Sequence, residues 1–116
     1  MNNKEFFHRI KSFLSYLTVD NVLDGFDFYY YESAIDSCLK VETSITDDEK
    51  ALAVSFVRDA FVNARTCKYL LKHPKSLVYD DSVYWQDFRN AVEKASLYIE
   101  QLEARYPECV AFSDKV

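Results

Sequence analysis

The chain has 116 residues, a formal net charge of −5, and a composition that is 49% apolar and 28% charged. This length is typical of one domain, and the apolar content is sufficient for one core. Only one glycine and two prolines are present. Because tight turns between strands use these residues, their scarcity favours long helices over a sheet. The acidic balance argues against nucleic-acid binding and against contact with an anionic membrane surface.

The three cysteines, Cys38, Cys67 and Cys109, form no C-x-x-C pair. Their odd number, with two of them on apolar helix faces, predicts buried free thiols in a reducing compartment. The N-terminus has no long apolar segment of the secretory kind, and the longest uncharged apolar stretch, 51–57, is too short to cross a bilayer. We therefore expect a cytoplasmic protein.

The first half of the chain contains two amphipathic patterns that predict helices. Apolar residues recur at helical spacing over 4–17, with Asn3 as the expected N-cap. Residues 18–26 are a predicted connection. The second helix is predicted over 28–41, capped by Asp27. Its inner face is predicted to carry Phe28, Tyr31, Ile35, Cys38 and Leu39.

The third helix has the clearest start signal in the chain. Thr46 and Glu49 match a capping box, in which each residue satisfies a backbone N–H of the other. The helix is predicted over 47–72 and is ended by Pro74, because the residue before a proline is displaced from helical geometry. Its buried seam is predicted to contain Ala53, Val57, Ala60, Ala64, Cys67 and Leu71.

The fourth helix is predicted over 82–106, with Asp81 or Ser82 as N-cap and with residues 107–116 as a tail. Its apolar side chains recur at alternating steps of three and four, which places them on one stripe. The stripe consists of Trp85, Phe88, Val92, Ala95, Ile99, Leu102 and Tyr106. Since the connector before this helix is short, the sequence predicts an all-α fold, a four-helix antiparallel bundle that forms a single domain.

The second helix also carries the strongest candidate for a binding surface. Residues 21–49 contain eight acidic residues and one lysine, and they include the run Tyr29-Tyr30-Tyr31. One helix face cannot hide three consecutive rings, and exposed tyrosines beside carboxylates are typical of protein interfaces. Two alternatives remain open: the acids cap helices and face solvent, and neighbouring segments cover the tyrosines. The predicted partner-binding residues are Asp27, Tyr29, Tyr30, Glu32, Asp36, Tyr79 and Asp80.

A basic stripe on the third helix, Arg58, Arg65 and Lys72, permits two interpretations. The first is an intramolecular complement to the acidic second helix, with favourable cations near a helix C-terminus. The second is a contact with phosphate or RNA.

Candidates for metal binding and catalysis are few. Glu5-x-x-His8 matches one element of di-iron carboxylate bundles, but such sites need two copies and further carboxylates. We therefore expect no metal and no cofactor. HEPN ribonucleases are helical bundles with an arginine and a histidine separated by four to six residues. Here Arg65 and His73 are separated by seven residues and lie beside the proline turn, so no ribonuclease activity is carried over.

The segment from His73 to Tyr79 loosely resembles a loop of nuclease-colicin immunity proteins, which are small acidic helical bundles that bind basic toxins. The resemblance covers a few residues, and Tyr79-Asp80-Asp81 stands where a paired tyrosine and proline are expected. The sequence thus favours a non-enzymatic inhibitor of the immunity-protein or antitoxin kind, with a basic partner protein. The alternatives are a homo-oligomeric or chaperone-like assembly subunit and a ribonuclease-type bundle.

Overall fold

The computed structural model describes residues 2–24, 28–76 and 79–107, without the side chain of Phe28. These residues form five α-helices and no strand, so the predicted all-α fold is confirmed. The α-helices are α1 (Asn3–Ser15), α2 (Val19–Leu23), α3 (Phe28–Ala34), α4 (Asp47–Lys72) and α5 (Asp81–Arg105). Two 3₁₀ helices span Ile35–Lys40 and Pro74–Ser76. None of the described helices has both the length and the apolar character needed to cross a bilayer.

The two long helices, α4 and α5, form an antiparallel hairpin. Glu49, near the start of α4, binds Arg105 at the end of α5, with 3.0 Å between the charged atoms. At the other end, Sγ of Cys67 contacts the carbonyl oxygen of Tyr84 at 3.3 Å. Small side chains let the two helices approach closely. The buried alanines of the hairpin are Ala53, Ala60, Ala64, Ala91 and Ala95.

α1 lies against both long helices and closes the core. Phe6 and Ile10 are completely buried, and Lys11 forms an ion pair with Glu103 of α5 at 2.5 Å. The apolar stripe predicted on α5 does face this core. Its members are buried at Phe88, Ala95, Ile99 and Leu102 and partly buried at Trp85, Val92 and Tyr106.

The second helix is shorter than predicted. The prediction of one α-helix over 28–41 is wrong beyond Ala34, where the chain winds into the 3₁₀ helix Ile35–Lys40. Isoleucine, aspartate, serine and cysteine, which follow Ala34, all have weaker helix propensity than alanine or leucine. The tighter winding turns Leu39, predicted to face inward, toward solvent.

A buried lysine ends this 3₁₀ helix. The side chain of Lys50 is only 8% exposed, and its Nζ donates to the carbonyl oxygens of Val41 at 3.0 Å and Leu39 at 3.4 Å. The cation thus satisfies carbonyl groups that have no partner within the helix. Lys50 lies seven residues before Val57 and therefore on the seam face of α4, a position that the sequence analysis did not single out.

The predicted connection over 18–26 contains α2, and α1 ends at Ser15 rather than at Leu17. Thr18 explains both differences, because its backbone is extended and its Oγ1 accepts a hydrogen bond from the backbone N–H of Asn21 at 3.2 Å. A threonine in this position starts a new helix.

Three further local predictions are corrected. Asn2, not Asn3, precedes α1, and the buried Asn3 instead exchanges two hydrogen bonds with Ser44. Asp80 caps α5 in place of Asp81 or Ser82. Leu71, predicted to be buried, is exposed because it lies in the last turn of α4, beside the connector. The predicted helix 47–72 agrees with α4 at both ends.

The capping box also ties the two long helices together. Oγ1 of Thr46 accepts from the N–H of Glu49 at 3.1 Å, and the Glu49 carboxylate accepts from the N–H of Thr46 at 3.3 Å. The same carboxylate accepts from the hydroxyl of Tyr106 and binds Arg105. These donors, with Tyr106 foremost, lower the pKa of Glu49.

We expect Ala60→Leu to lower the free energy of unfolding by about 1–3 kcal/mol, because the seam between the long helices has no room for a larger side chain. Urea denaturation measures the change. Ala51→Leu is the matched control on the exposed face of α4, and its effect is expected to be within about 0.5 kcal/mol. Equal effects of the two substitutions would contradict the close approach of α4 and α5.

A second prediction concerns the pH dependence of stability. Because the pKa of Glu49 is lower in the folded chain than in the unfolded one, its charge stabilises the fold above the ordinary glutamate pKa of about 4.3. That contribution is lost as the pH falls through the folded-state pKa. We expect Glu49→Gln to lower the unfolding free energy by about 1 kcal/mol at pH 7 and by less below pH ~4, measured by urea denaturation. A difference that persists unchanged down to pH ~3 would contradict this linkage.

Candidate partner-binding surface

The three consecutive tyrosines of α3 have different surroundings. Tyr31 is partly buried, and its ring centroid lies 5.6 Å from that of Phe13 and 5.1 Å from that of Tyr16. Tyr29 and Tyr30 remain 84% and 61% exposed. The predicted inner-face position of Tyr31 is therefore confirmed, and the other two rings are presented to solvent.

Tyr31 attaches α3 to α1. Burial raises its pKa to about 12, and a hydrogen bond with the hydroxyl of Tyr16 adds to the shift. The phenol therefore stays protonated at neutral pH. The centroid of its ring also lies 6.4 Å from that of Phe61 in α4. The side chain of Tyr31 therefore joins α3 to both α1 and α4.

A cleft of about 330 Å³ opens between α1 and α3, and we call it the tyrosine cleft. Its lining includes four phenylalanine and tyrosine rings, two serines, His8 and Arg9. The rings are Phe13, Tyr16, Tyr30 and Tyr31, and the serines are Ser12 and Ser37. Sequence reasoning missed Tyr16 and Arg9 as members of this surface. The signal for Tyr16 was its position three residues after Phe13, which extends the apolar stripe of the first helix.

The acidic edge of α3 faces α4. Oε1 of Glu32 lies 2.5 Å from the Arg65 guanidinium, and Asp36 in the following 3₁₀ helix pairs with Arg58. The intramolecular interpretation of the basic stripe is thus confirmed for two arginines. Glu32 and Asp36 hold α3 and the 3₁₀ helix on α4, and their predicted role in partner binding stays a prediction.

The remaining predicted contacts lie elsewhere in the chain. Tyr79 is exposed and packs against Tyr84 of α5, with 6.3 Å between ring centroids. Asp80 accepts a hydrogen bond from the backbone N–H of Ser82 at 3.0 Å, which holds the pKa of Asp80 below its ordinary value. These two residues thus directly precede α5, with Asp80 as its N-cap. Asp27 lies outside the described residues.

The described cysteines are structural in character. Cys38 and Cys67 are free and buried, as predicted, and burial raises the pKa of each thiol to about 11. Neither thiol forms an appreciable amount of the reactive thiolate at neutral pH. Cys109 lies outside the described part of the chain.

The residues considered for metal binding or catalysis have local partners. Glu5 pairs with Arg9 at 2.7 Å, and the described residues contain no cluster of three or more His, Cys, Asp or Glu side chains suited to a metal. Arg65 binds Glu32. His73 stacks on Tyr69, with 4.0 Å between ring centroids.

A second concave surface, an apolar groove between α1 and α5, was also missed by sequence reasoning. Its walls are formed by Leu14, Leu17, Val92 and Ile99, with the small side chain of Ser96 between them.

The ion pair between Arg65 and Glu32 generates a prediction for a double-mutant cycle. With Arg65→Gln, Glu32→Gln and the double variant, we expect a coupling free energy of about 0.3–1 kcal/mol, because both side chains are partly exposed to water. Urea denaturation measures the four stabilities. Raising the salt concentration to about 1 M should reduce the coupling, and a coupling indistinguishable from zero at low salt would contradict the pair.

Comparison with protein-family models, with curated proteins and with solved structures finds no match to this chain. A function must therefore be argued from the residues and their geometry. Two features of α3 are the basis for that argument, namely two exposed tyrosines and an anchor that fixes the helix.

Proposed function

We propose that the protein is a non-enzymatic binding module, a small acidic inhibitor of the immunity-protein or antitoxin kind that neutralises a partner protein by covering part of its surface. The observation that carries this proposal is the exposure of Tyr29 and Tyr30 on a helix that is fixed at Tyr31. Two adjacent exposed rings in a charged surface lower the solubility of a protein, and they offer apolar area for association with a partner protein.

Tyrosine is well suited to such a role. Its ring offers a large contact area, its hydroxyl group pairs with polar groups of a partner, and it has few rotatable bonds to immobilise. The contacts of Tyr31 with α1 and of Glu32 with α4 hold the backbone of α3 before a partner arrives. A surface fixed in advance loses less conformational entropy on binding.

The charge of the protein favours a basic partner. The net charge is −5, and the side chain of Asp36 remains 59% exposed although one of its oxygens pairs with Arg58. A basic protein surface is attracted to such an acidic region over distances of about a Debye length. Asp27, Tyr79 and Asp80 remain proposed contacts.

A homo-oligomeric or chaperone-like assembly subunit is the second candidate. Its supporting observation is the exposure of Leu52, Val62 and Tyr69 on the outer face of α4. Static light scattering separates the two candidates, because a monomer at micromolar concentration disfavours self-assembly. The ribonuclease alternative gains nothing from Arg65 and His73, which are engaged by Glu32 and Tyr69.

Affinity capture tests the proposed function. Tagged protein added to lysate of its native source should retain one stoichiometric partner, and the Tyr29→Ala/Tyr30→Ala variant should retain at least about tenfold less, because rings of this kind contribute much of the binding energy at interfaces. The melting temperature should change by no more than about 2 °C, since neither ring is part of the core.

The matched control is Leu52→Ala/Tyr69→Ala, which removes exposed apolar groups from α4 and should leave capture unchanged. Unfolding of the tyrosine variant would show that these rings support the fold. Recovery of the protein alone would favour the assembly subunit.

A further inference from the structure

We propose that the tyrosine cleft holds the guanidinium group of an arginine presented by the partner protein. This inference rests on the proposed binding function and deepens it, because it names the side chain that is recognised between α1 and α3.

Three of the lining rings lie next to one another. The ring of Tyr30 lies at 87° to that of Tyr31 with 5.6 Å between centroids, and the ring of Tyr16 lies at 51° to that of Tyr31 with 5.1 Å between centroids. Tyr16 and Tyr30 are exposed to solvent, while Tyr31 is partly buried. Together with the volume of about 330 Å³, this arrangement suits one long side chain entering from solvent.

Rings arranged in this way attract cations. The faces of aromatic rings carry partial negative charge, so a cation within about 6 Å of a ring centroid is stabilised. A guanidinium group is planar and weakly hydrated, and it stacks on rings more readily than the strongly hydrated ammonium of lysine. The hydroxyl groups of Ser12 and Ser37, on opposite sides of the cleft, are acceptors for its N–H groups.

The charges around the cleft are compatible with a cationic guest. His8 and Arg9 line it on the α1 side, and both Nε and Nη2 of Arg9 contact Oε2 of Glu5, at 2.9 and 2.7 Å. The charge of Arg9 is therefore compensated locally. At longer range the net charge of −5 favours a cation, and an anionic guest would face the electron-rich rings.

The test uses a short peptide of glycines with one central arginine, capped at both ends and titrated into isotope-labelled protein by NMR. We expect chemical-shift changes at Ser12, Tyr16, Tyr30 and Ser37. The matched peptide with citrulline, an uncharged isostere of arginine, should bind at least about tenfold more weakly, because cation–π attraction requires the charge. A matched glutamate peptide should give no shift at these residues.

Substitutions in α3 test whether the arginine peptide binds at Tyr30, which lines the cleft, and not at Tyr29. Tyr30→Ala should weaken arginine-peptide binding at least about fivefold, whereas Tyr30→Phe should stay within about twofold because the ring remains. Tyr29→Ala is the matched control, since Tyr29 is also exposed but does not line the cleft. Its affinity for the peptide should equal that of the unchanged protein.

Equal binding of citrulline or glutamate peptides, shifts confined to other surfaces, or no response at about 20 mM arginine peptide would each overturn the inference. An equal loss in Tyr29→Ala and Tyr30→Ala would overturn the assignment to the cleft. Failure of this inference is distinguishable from failure of the proposed function. A partner captured through Tyr29 and Tyr30, without a response to arginine, leaves binding intact and removes only the guest assigned here.

Discussion

The close approach of α4 and α5 is the constraint on which the rest of the structure depends. Alanines along the buried faces bring the two backbones together, so the apolar stripe of α5 has a rigid surface to pack against. Glu49 closes one end of this hairpin by joining Thr46, Arg105 and Tyr106. The shorter segments pack against this hairpin.

The acidic second quarter of the chain has its position because of that framework. Arg65 of α4 pairs with Glu32 of α3, and Arg58 of α4 pairs with Asp36 of the following 3₁₀ helix. These ion pairs hold the acidic segment on α4. Such exposed pairs contribute modestly to stability. Tyr31 adds the apolar contact that the ion pairs lack, so the position of α3 does not depend on charge alone.

Sequence patterning predicted the elements whose signals are local. The helix 47–72 was predicted at both ends because a capping box and a proline mark its limits. The break at Ile35 was not predicted, since the apolar spacing of 28–41 continues through it. The hydrogen bonds of Lys50 could not be predicted from the sequence for another reason. Its acceptors, the carbonyl oxygens of Leu39 and Val41, are brought to it only by tertiary packing.

The candidate site was predictable in part for the same reason. Neighbouring tyrosines at 100° intervals cannot share one face, but the sequence left open whether other segments cover Tyr29 and Tyr30, and only the structure shows that both are exposed. The contribution of Tyr16 was not predictable, because it comes from the residue that follows α1 and reaches α3 only in the folded chain. Within α3, Tyr29 lies one helical turn before Glu32, which binds α4, and Tyr30 lines the cleft with α1. A partner that contacts both residues must satisfy two different chemistries at once, which makes such a surface selective.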